Sequence, residues 1–459
     1  MTTYLTPQRE YDVQARRITG THAEKLEQLD AAIQELLDIK VLECASDRPG
    51  VQFVAVPRQR SHAFAMTVTV LALLVLLVLL LGVRTSHAQT TDPQPPQTPA
   101  TAAQTTPDDS PFAHIKFGAT FEGFYEYDAN HPDDRVIPLR AYDTRANVFG
   151  MQQAAFVIDD APDVDKGRRY GMRLDFQFGQ AISVLQGNPS NEPRPELYRN
   201  VWQAYGTYIF PVGKGLQVDF GKFASNLGYE TNYAKDNFNF SRAYLFNFLP
   251  YYHTGFRTSL PLSDKVTVMY MLTNGIQQTE DFNNFKSNHF TVILKPVPAF
   301  TWNTSYYFGQ EQPDNSLPNG PDGWFRVFDT NGTIAATRKL ALGFDVTHTT
   351  NEVHSGDESL ALDGVGAYAR YQFTTPASVS LRYEHLADDG LFSRVKQTLQ
   401  EVTFTAEHKF AEGFLVRGEF RRDWSDTGFF PAHGGRVLDH QNTALVGMVW
   451  WIGNKTGGW

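Results

Sequence analysis

The sequence predicts an all-β protein, a closed antiparallel up-and-down transmembrane β-barrel of about 16 strands with an N-terminal signal segment. Three observations carry that reading. From residue 112 onward, apolar and polar residues alternate along one run after another, the two-residue period of strands with two unlike faces. The connections alternate as well. Tight turns at 211–215, 261–265, 296–299, 337–339, 374–377 and 410–413 are separated by wide polar stretches at 224–250, 276–287, 310–323, 352–361, 388–396 and 425–437. Membrane barrels have this asymmetry of short periplasmic turns and long external loops, whereas a soluble Greek-key sandwich has no reason to sort its loops by parity. Third, only one long apolar run, 66–83, is present, and it lies ahead of the alternating part.

Composition agrees with this. Of 459 residues, 13% are aromatic (34 Phe, 20 Tyr, 7 Trp), while mean hydropathy is −0.35. A helical membrane protein needs several long apolar runs; a barrel shows lipid only every second residue and gathers aromatics at both interfaces. The net charge of −10, without a basic stripe, argues against nucleic acid as a partner. The single cysteine, Cys44, precedes the apolar run, so everything after it is free of thiols, which suits export to an oxidising compartment.

Taken in order, residues 1–65 form an N-terminal extension with one helical segment at 23–42, where Thr21 and Glu24 make a capping box and Leu26, Leu29, Ile33 and Leu36 share a face. A signal rarely begins so late. Either translation starts nearer the apolar run, or a small cytoplasmic element is tethered in front of it. Residues 66–88 read as a signal peptide: Arg58 and Arg60 precede the run, and Ser86-His87-Ala88 places small residues for cleavage between Ala88 and Gln89. An uncleaved anchor is the alternative, because the run is just long enough to span. Residues 89–111, rich in Pro, Thr and Gln, read as a disordered linker, and 112–459 as the barrel.

Within the barrel the two faces are distinct. Met172, Leu174, Phe176 and Phe178 oppose Arg173, Asp175 and Gln177; Leu216, Val218 and Phe220 oppose Gln217 and Asp219. Val379, Leu381 and Tyr383 oppose Ser380, Arg382 and Glu384, and Phe414, Val416 and Phe420 oppose Arg417, Glu419, Arg421 and Asp423. A soluble sheet would turn the apolar face inward; a membrane barrel inverts the assignment, and the charges line the lumen. Fifteen runs are plain from their period. The parity of the connections demands one more between 310 and 337, and 324–336 is the candidate, although Asn331-Gly332 is a poor strand pair. The total is then sixteen strands, eight long loops and seven short turns, the first turn (159–166) being the widest.

The inward faces give a set of pore-lining residues: basic Arg173, Arg257, Arg370, Arg382, Arg417 and Arg421, and acidic Asp175, Asp219, Asp345, Glu384, Glu407, Glu419 and Asp423. Six bases against seven acids make no ring of one sign. The two signs either segregate to opposite walls or pair across strands and fill the interior, since alternation fixes the face and not which neighbours meet. The stretch 224–250, with Tyr229, Tyr233, Phe238, Phe240, Tyr244, Phe246 and Phe248, is long and aromatic enough to fold inward and narrow the pore.

No catalytic, cofactor or metal constellation is legible. Glu384-His385 and Asp439-His440 put an acid beside a base, but adjacent strand residues point to opposite faces. His348 and His354 have no matching Cys/His set. Gly213-Lys214-Gly215 joins two strands, so it is a turn and not a phosphate cradle.

Several motifs carry a family resemblance. They are Asn188-Pro189-Ser190-Asn191-Glu192-Pro193, Tyr198-Arg199-Asn200-Val201-Trp202-Gln203-Ala204-Tyr205, Gly213-Lys214-Gly215-Leu216 with Asp219-Phe220-Gly221-Lys222-Phe223, and His253-Thr254-Gly255-Phe256-Arg257. Ser263-Asp264-Lys265-Val266, Thr273-Asn274-Gly275 and the ending Val449-Trp450-Trp451-Ile452-Gly453 through Trp459 complete them. The chain resembles the OmpL-like outer-membrane β-barrel porins over most of 112–459. The resemblance implies a barrel and diffusion of small solutes, and it supplies no catalytic residues to carry over. Its terminal aromatic is similar to the signal read by barrel-assembly machinery. The expected function is therefore a porin of the bacterial outer membrane, passing small hydrophilic solutes through a charge-lined lumen, with no cofactor. Its partners would be outer-membrane lipid, barrel-assembly machinery, small polar solutes and, as oligomer, a homotrimer. The alternatives are a non-conducting structural or adhesive barrel and a tethered carbohydrate-binding β-protein.

Overall fold

The computed structural model describes residues 114–186, 192, 194–312 and 321–453. The segments 1–65, 66–88 and 89–111, the cleavage residues Ala88 and Gln89, and Trp459 lie outside the described residues. The strands are β1 (Lys116–Asp128), β2 (Val148–Asp160), β3 (Tyr170–Phe178), β4 (Val201–Phe210), β5 (Leu216–Ala224), β6 (Tyr252–Pro261), β7 (Val266–Thr273), β8 (Ser287–Val297) and β9 (Phe300–Gln310). They continue as β10 (Trp324–Ala335), β11 (Leu340–Asn351), β12 (Leu360–Gln372), β13 (Ala377–Asp389), β14 (Lys396–Ala411), β15 (Phe414–Ser425), β16 (Phe430–Ala432), β17 (Arg436–Leu438) and β18 (His440–Gly453). Each of β1–β15 pairs with its sequence neighbours, β15 continues to β18, and β18 returns to β1, closing a barrel of sixteen strands. The remaining two, β16 and β17, form a small ribbon inside the last long connection.

The loops sort by parity as expected. Connections at 129–147, 179–200, 225–251, 274–286, 311–323, 352–359, 390–395 and 426–439 share one end of the barrel, and turns at 161–169, 211–215, 262–265, 298–299, 336–339, 373–376 and 412–413 share the other. The doubtful strand β10 is present. Asn331 and Gly332 sit in register between Asn303 and Trp302 on β9 and Asp345 and Phe344 on β11. Two flanking ladders satisfy the backbone of this pair, and that outweighs weak intrinsic strand propensity.

Side chains take the inverted arrangement. Phe220, Phe256 and Phe420 are 60%, 50% and 50% exposed, whereas Asp219 and Arg421, one residue away from Phe220 and Phe420, are each 1% exposed. Among the described residues, no second sheet covers the apolar face. Outward rings cluster toward both rims, as interfacial belts do. Tyr208 with Phe210 (4.8 Å), Tyr371 with Phe373 (5.0 Å) and Phe414 with Trp450 (4.8 Å) lie near the short turns. Tyr125 with Phe149 (5.0 Å), Phe308 with Trp324 (6.2 Å) and Tyr383 with Trp424 (6.5 Å) lie near the long loops.

Apolar clusters also occur inside the barrel, and each contains residues of the connection 225–251. Tyr251 packs with Trp202 and Tyr142; Ala234 and Phe240 pack with Phe124 and Val449; Tyr244 and Leu245 pack with Leu362 and Leu386; Leu227 and Leu249 pack with Tyr307 and Val327. The interior core is thus a loop packed against a wall.

Lipid exposure gives a depth-dependent expectation. Phe420→Arg, at mid-strand, should destabilise the barrel by about 2–4 kcal/mol, and Phe410→Arg, beside a turn, by about 0–1 kcal/mol. Denaturant titration in lipid vesicles reads both; equal costs at the two sites would contradict the assigned membrane depth.

Candidate functional site

The connection 225–251 lies within the barrel and follows its wall. Asn226 Nδ2 donates to Thr291 Oγ1 on β8 (2.8 Å). Gly228 N donates to Asp329 on β10 (3.2 Å) and Tyr229 N to Asp345 on β11 (2.9 Å). Farther on, Ala234 N donates to Glu122 on β1 (2.8 Å), while Phe240 N and Ser241 N donate to Glu419 on β15 (2.8 and 3.2 Å). The connection ends in one helical turn, Tyr244–Phe248, whose leading N–H groups, Tyr244 N and Leu245 N, donate to Glu384 on β13 (2.5 and 3.0 Å).

Wall cations serve the loop's carbonyls in the same way. Arg417 donates to the carbonyl oxygens of Ala234, Asn237 and Asn239 (2.6, 2.8 and 2.9 Å). Arg382 donates to Ser241 O and Arg421 to Arg242 O (2.7 Å each). Irregular backbone taken out of water needs such partners, and hydrogen bonds to charged groups contribute about 1.5–3 kcal/mol each.

Three glycines of the inner wall shape the seat. Gly343 lies under the Tyr229 ring, Gly364 under Leu245 and Gly447 under the Phe240 ring, and a methyl group at any of the three would collide with the loop residue above it. A second connection, 129–147, joins from the side: buried Arg140 donates to Asp143 (3.0 Å), Asp423 (3.0 Å) and Thr443 Oγ1 (2.9 Å), and Tyr142 donates to Asn232 Oδ1 (2.8 Å). Among the external loops, Arg194 and Tyr198 both bond to Glu280, and these bonds hold its carboxyl down at about 2.

All thirteen charges expected on the inner face take part in interior contacts. Nine are buried: Asp175, Asp219, Asp345, Arg382, Glu384, Arg417, Glu419, Arg421 and Asp423. Arg173, Arg257, Arg370 and Glu407 keep part of their surface. Opposite signs pair within and between strands. Arg173 meets Asp175 (2.8 Å), Arg257 meets Asp219 (2.7 Å), Arg382 meets Glu401 (2.8 Å), Arg421 meets Asp423 (2.7 Å), and Glu407 takes both Arg417 (2.7 Å) and Arg370. Of the two arrangements open to the sequence, pairing is the one present. Asp345, Glu384 and Glu419 instead hold loop N–H groups.

Sequence reasoning missed further interior charges, six of which meet the loop, the paired wall residues or one another. Glu122, Glu126, Asp329 and Glu401 are buried on inward-facing strand positions, and the same alternation would have found them. Arg140 and Glu230 lie in connections, where no period marks them. One expectation needs correction. Asp439 and His440 do meet, Oδ1 to Nδ1 at 2.6 Å, because Asp439 precedes β18 and its backbone is not yet bound to the strand period. Among the described residues, no group of three or more His, Cys, Asp or Glu side chains is placed to hold a metal ion.

Two cavities flank the seated loop. One of about 330 Å³ lies between its first leg and the β9–β10 wall, where Asn303, Asn331 and Thr333 face it. The other, about 250 Å³, lies toward the turn at 412–413, among Lys235, Arg370, Glu407 and Lys409.

A family model described as "Putative beta-barrel porin-2, OmpL-like" matches residues 114–450. Among solved structures, the chain is similar to the anion-selective porin from Comamonas acidovorans, at 10% identity over 74% of this chain and 99% of that one (TM-score 0.49). It is also similar to Salmonella typhi OmpF in complex with daunomycin, at 11% identity over 74% and 97% (TM-score 0.49). A third is the trimer form of OmpT, an outer membrane protein of Vibrio cholerae, at 12% identity over 74% and 99% (TM-score 0.49). No curated protein matches the chain. With the family match covering most of the sequence, this chain belongs to the OmpL-like β-barrel porin-2 family and is a bacterial outer-membrane barrel.

Proposed function

We propose that the barrel passes small hydrophilic solutes by passive diffusion, along the space between the seated loop 225–251 and the wall opposite its main contacts. The observation that supports this most is the cavity of about 330 Å³ between the loop and β9–β10, in a barrel of sixteen strands, a size class that encloses an aqueous passage. Partly exposed Arg173, Arg257, Arg370 and Glu407 would meet the solute on its way, whereas seven of the nine buried charges, all but Asp175 and Asp219, shape the passage by holding the loop. The signal reading of 66–88, with cleavage between Ala88 and Gln89, supports export.

A non-conducting structural barrel is the second reading, and the depth to which the loop is packed favours it. Planar-bilayer recording of the purified protein separates the two: stepwise ion currents are expected, and a tight seal would favour the structural barrel. The loop as constriction has its own tests. Deleting residues 231–240 should raise single-channel conductance. Because that deletion also strips Arg417 and Glu419 of their loop partners, Gly447→Val is the gentler probe. It should unseat Phe240, giving higher or flickering conductance in a barrel that still migrates faster unboiled on a gel. Wild-type conductance in both variants would remove the constriction.

A further inference from the structure

The cavity beside the loop differs in chemistry from the rest of the interior. Its β9–β10 side presents Asn303, Asn331 and Thr333, with Asn303 donating to Asn331, and on its loop side Asn226, Thr231 and Asn232 are bonded to Thr291, Asn237 and Tyr142. Aromatic rings complete it, with Trp202, Tyr229 and Tyr251 in its lining. Glu230 is the only charged residue there, and both its oxygens are engaged: Oε1 accepts from Arg382 Nη1 (2.8 Å) and Oε2 from Ala243 N (2.8 Å). The solvent-touched pairs Arg173–Asp175, Arg257–Asp219 and Arg370–Glu407 all lie outside this lining.

Amides and hydroxyls can replace the water around a neutral hydroxyl, donor for acceptor. Aromatic faces accept the C–H faces of a sugar ring as an apolar surface with a polar edge. An ion has no such exchange. It would shed hydration among neutral dipoles with no free countercharge, and that cost is large.

We propose that this cavity is the selective part of the passage and that it favours uncharged polyhydroxylated solutes of monosaccharide size over charged solutes of equal size. The inference rests on the channel reading and narrows it to a solute class. Purified full-length barrel in liposomes, presented with glucose, gluconate and glucosamine, tests it. Glucose should be taken up about tenfold faster than either charged sugar, a ratio equal to about 1.4 kcal/mol. Asn303→Asp should raise glucosamine uptake relative to gluconate. Should that variant fail to insert, Thr333→Asp on the same wall makes the same prediction. Equal uptake of the three sugars, or faster uptake of a charged one, overturns the selectivity and leaves the channel reading intact. Uptake of none overturns the channel reading and this one with it.

Discussion

The structure depends on the pairing of β1 with β18, from Gly118 opposite Gly453 to Asp128 opposite Thr443. In hydrocarbon no water is available to an unpaired N–H or C=O, so a sheet with an open edge is not viable. Closing the ring removes the edge. It also leaves each strand residue two destinations, acyl chains or the enclosed interior. Phe420 goes one way and Arg421 the other for that reason.

A closed ring with a polar lining creates a second problem, since the interior charges need compensation. Pairs such as Arg257 with Asp219 solve part of it. The rest is solved by the connection 225–251, whose backbone offers N–H groups to Glu122, Glu384 and Glu419 and carbonyls to Arg382, Arg417 and Arg421. Each side satisfies what the other would leave buried and unpaired, so loop and wall stabilise one another. The glycines at 343, 364 and 447 let the loop approach the wall closely enough for those bonds to form.

This arrangement bears on the diffusion proposed for the barrel. Charges spent on holding the loop are not free to attract ions, and the side of the interior that the loop leaves open is lined chiefly by amides, hydroxyls and rings. The wall charges of β1, β10, β11, β13 and β15 hold the loop in place.

By itself the sequence determined the strands, their parity and the sorting of loops, because a two-residue period and turn spacing are local properties of the chain. Even β10, with Asn331-Gly332 against it, was recoverable from the requirement that long and short connections alternate. The same locality makes the loop's aromatic content readable as a tendency to fold inward, and the two-residue period places Glu122 and Glu401 on the inner face. Only the tertiary structure decided which charges meet. Glu384 touches Tyr244 across 140 residues and Arg417 touches Ala234 across 183, and nothing in either segment marks its partner. Such contacts are set by ring closure and by the curvature of the wall, which bring distant strands and one loop to a common place that no period along the chain encodes.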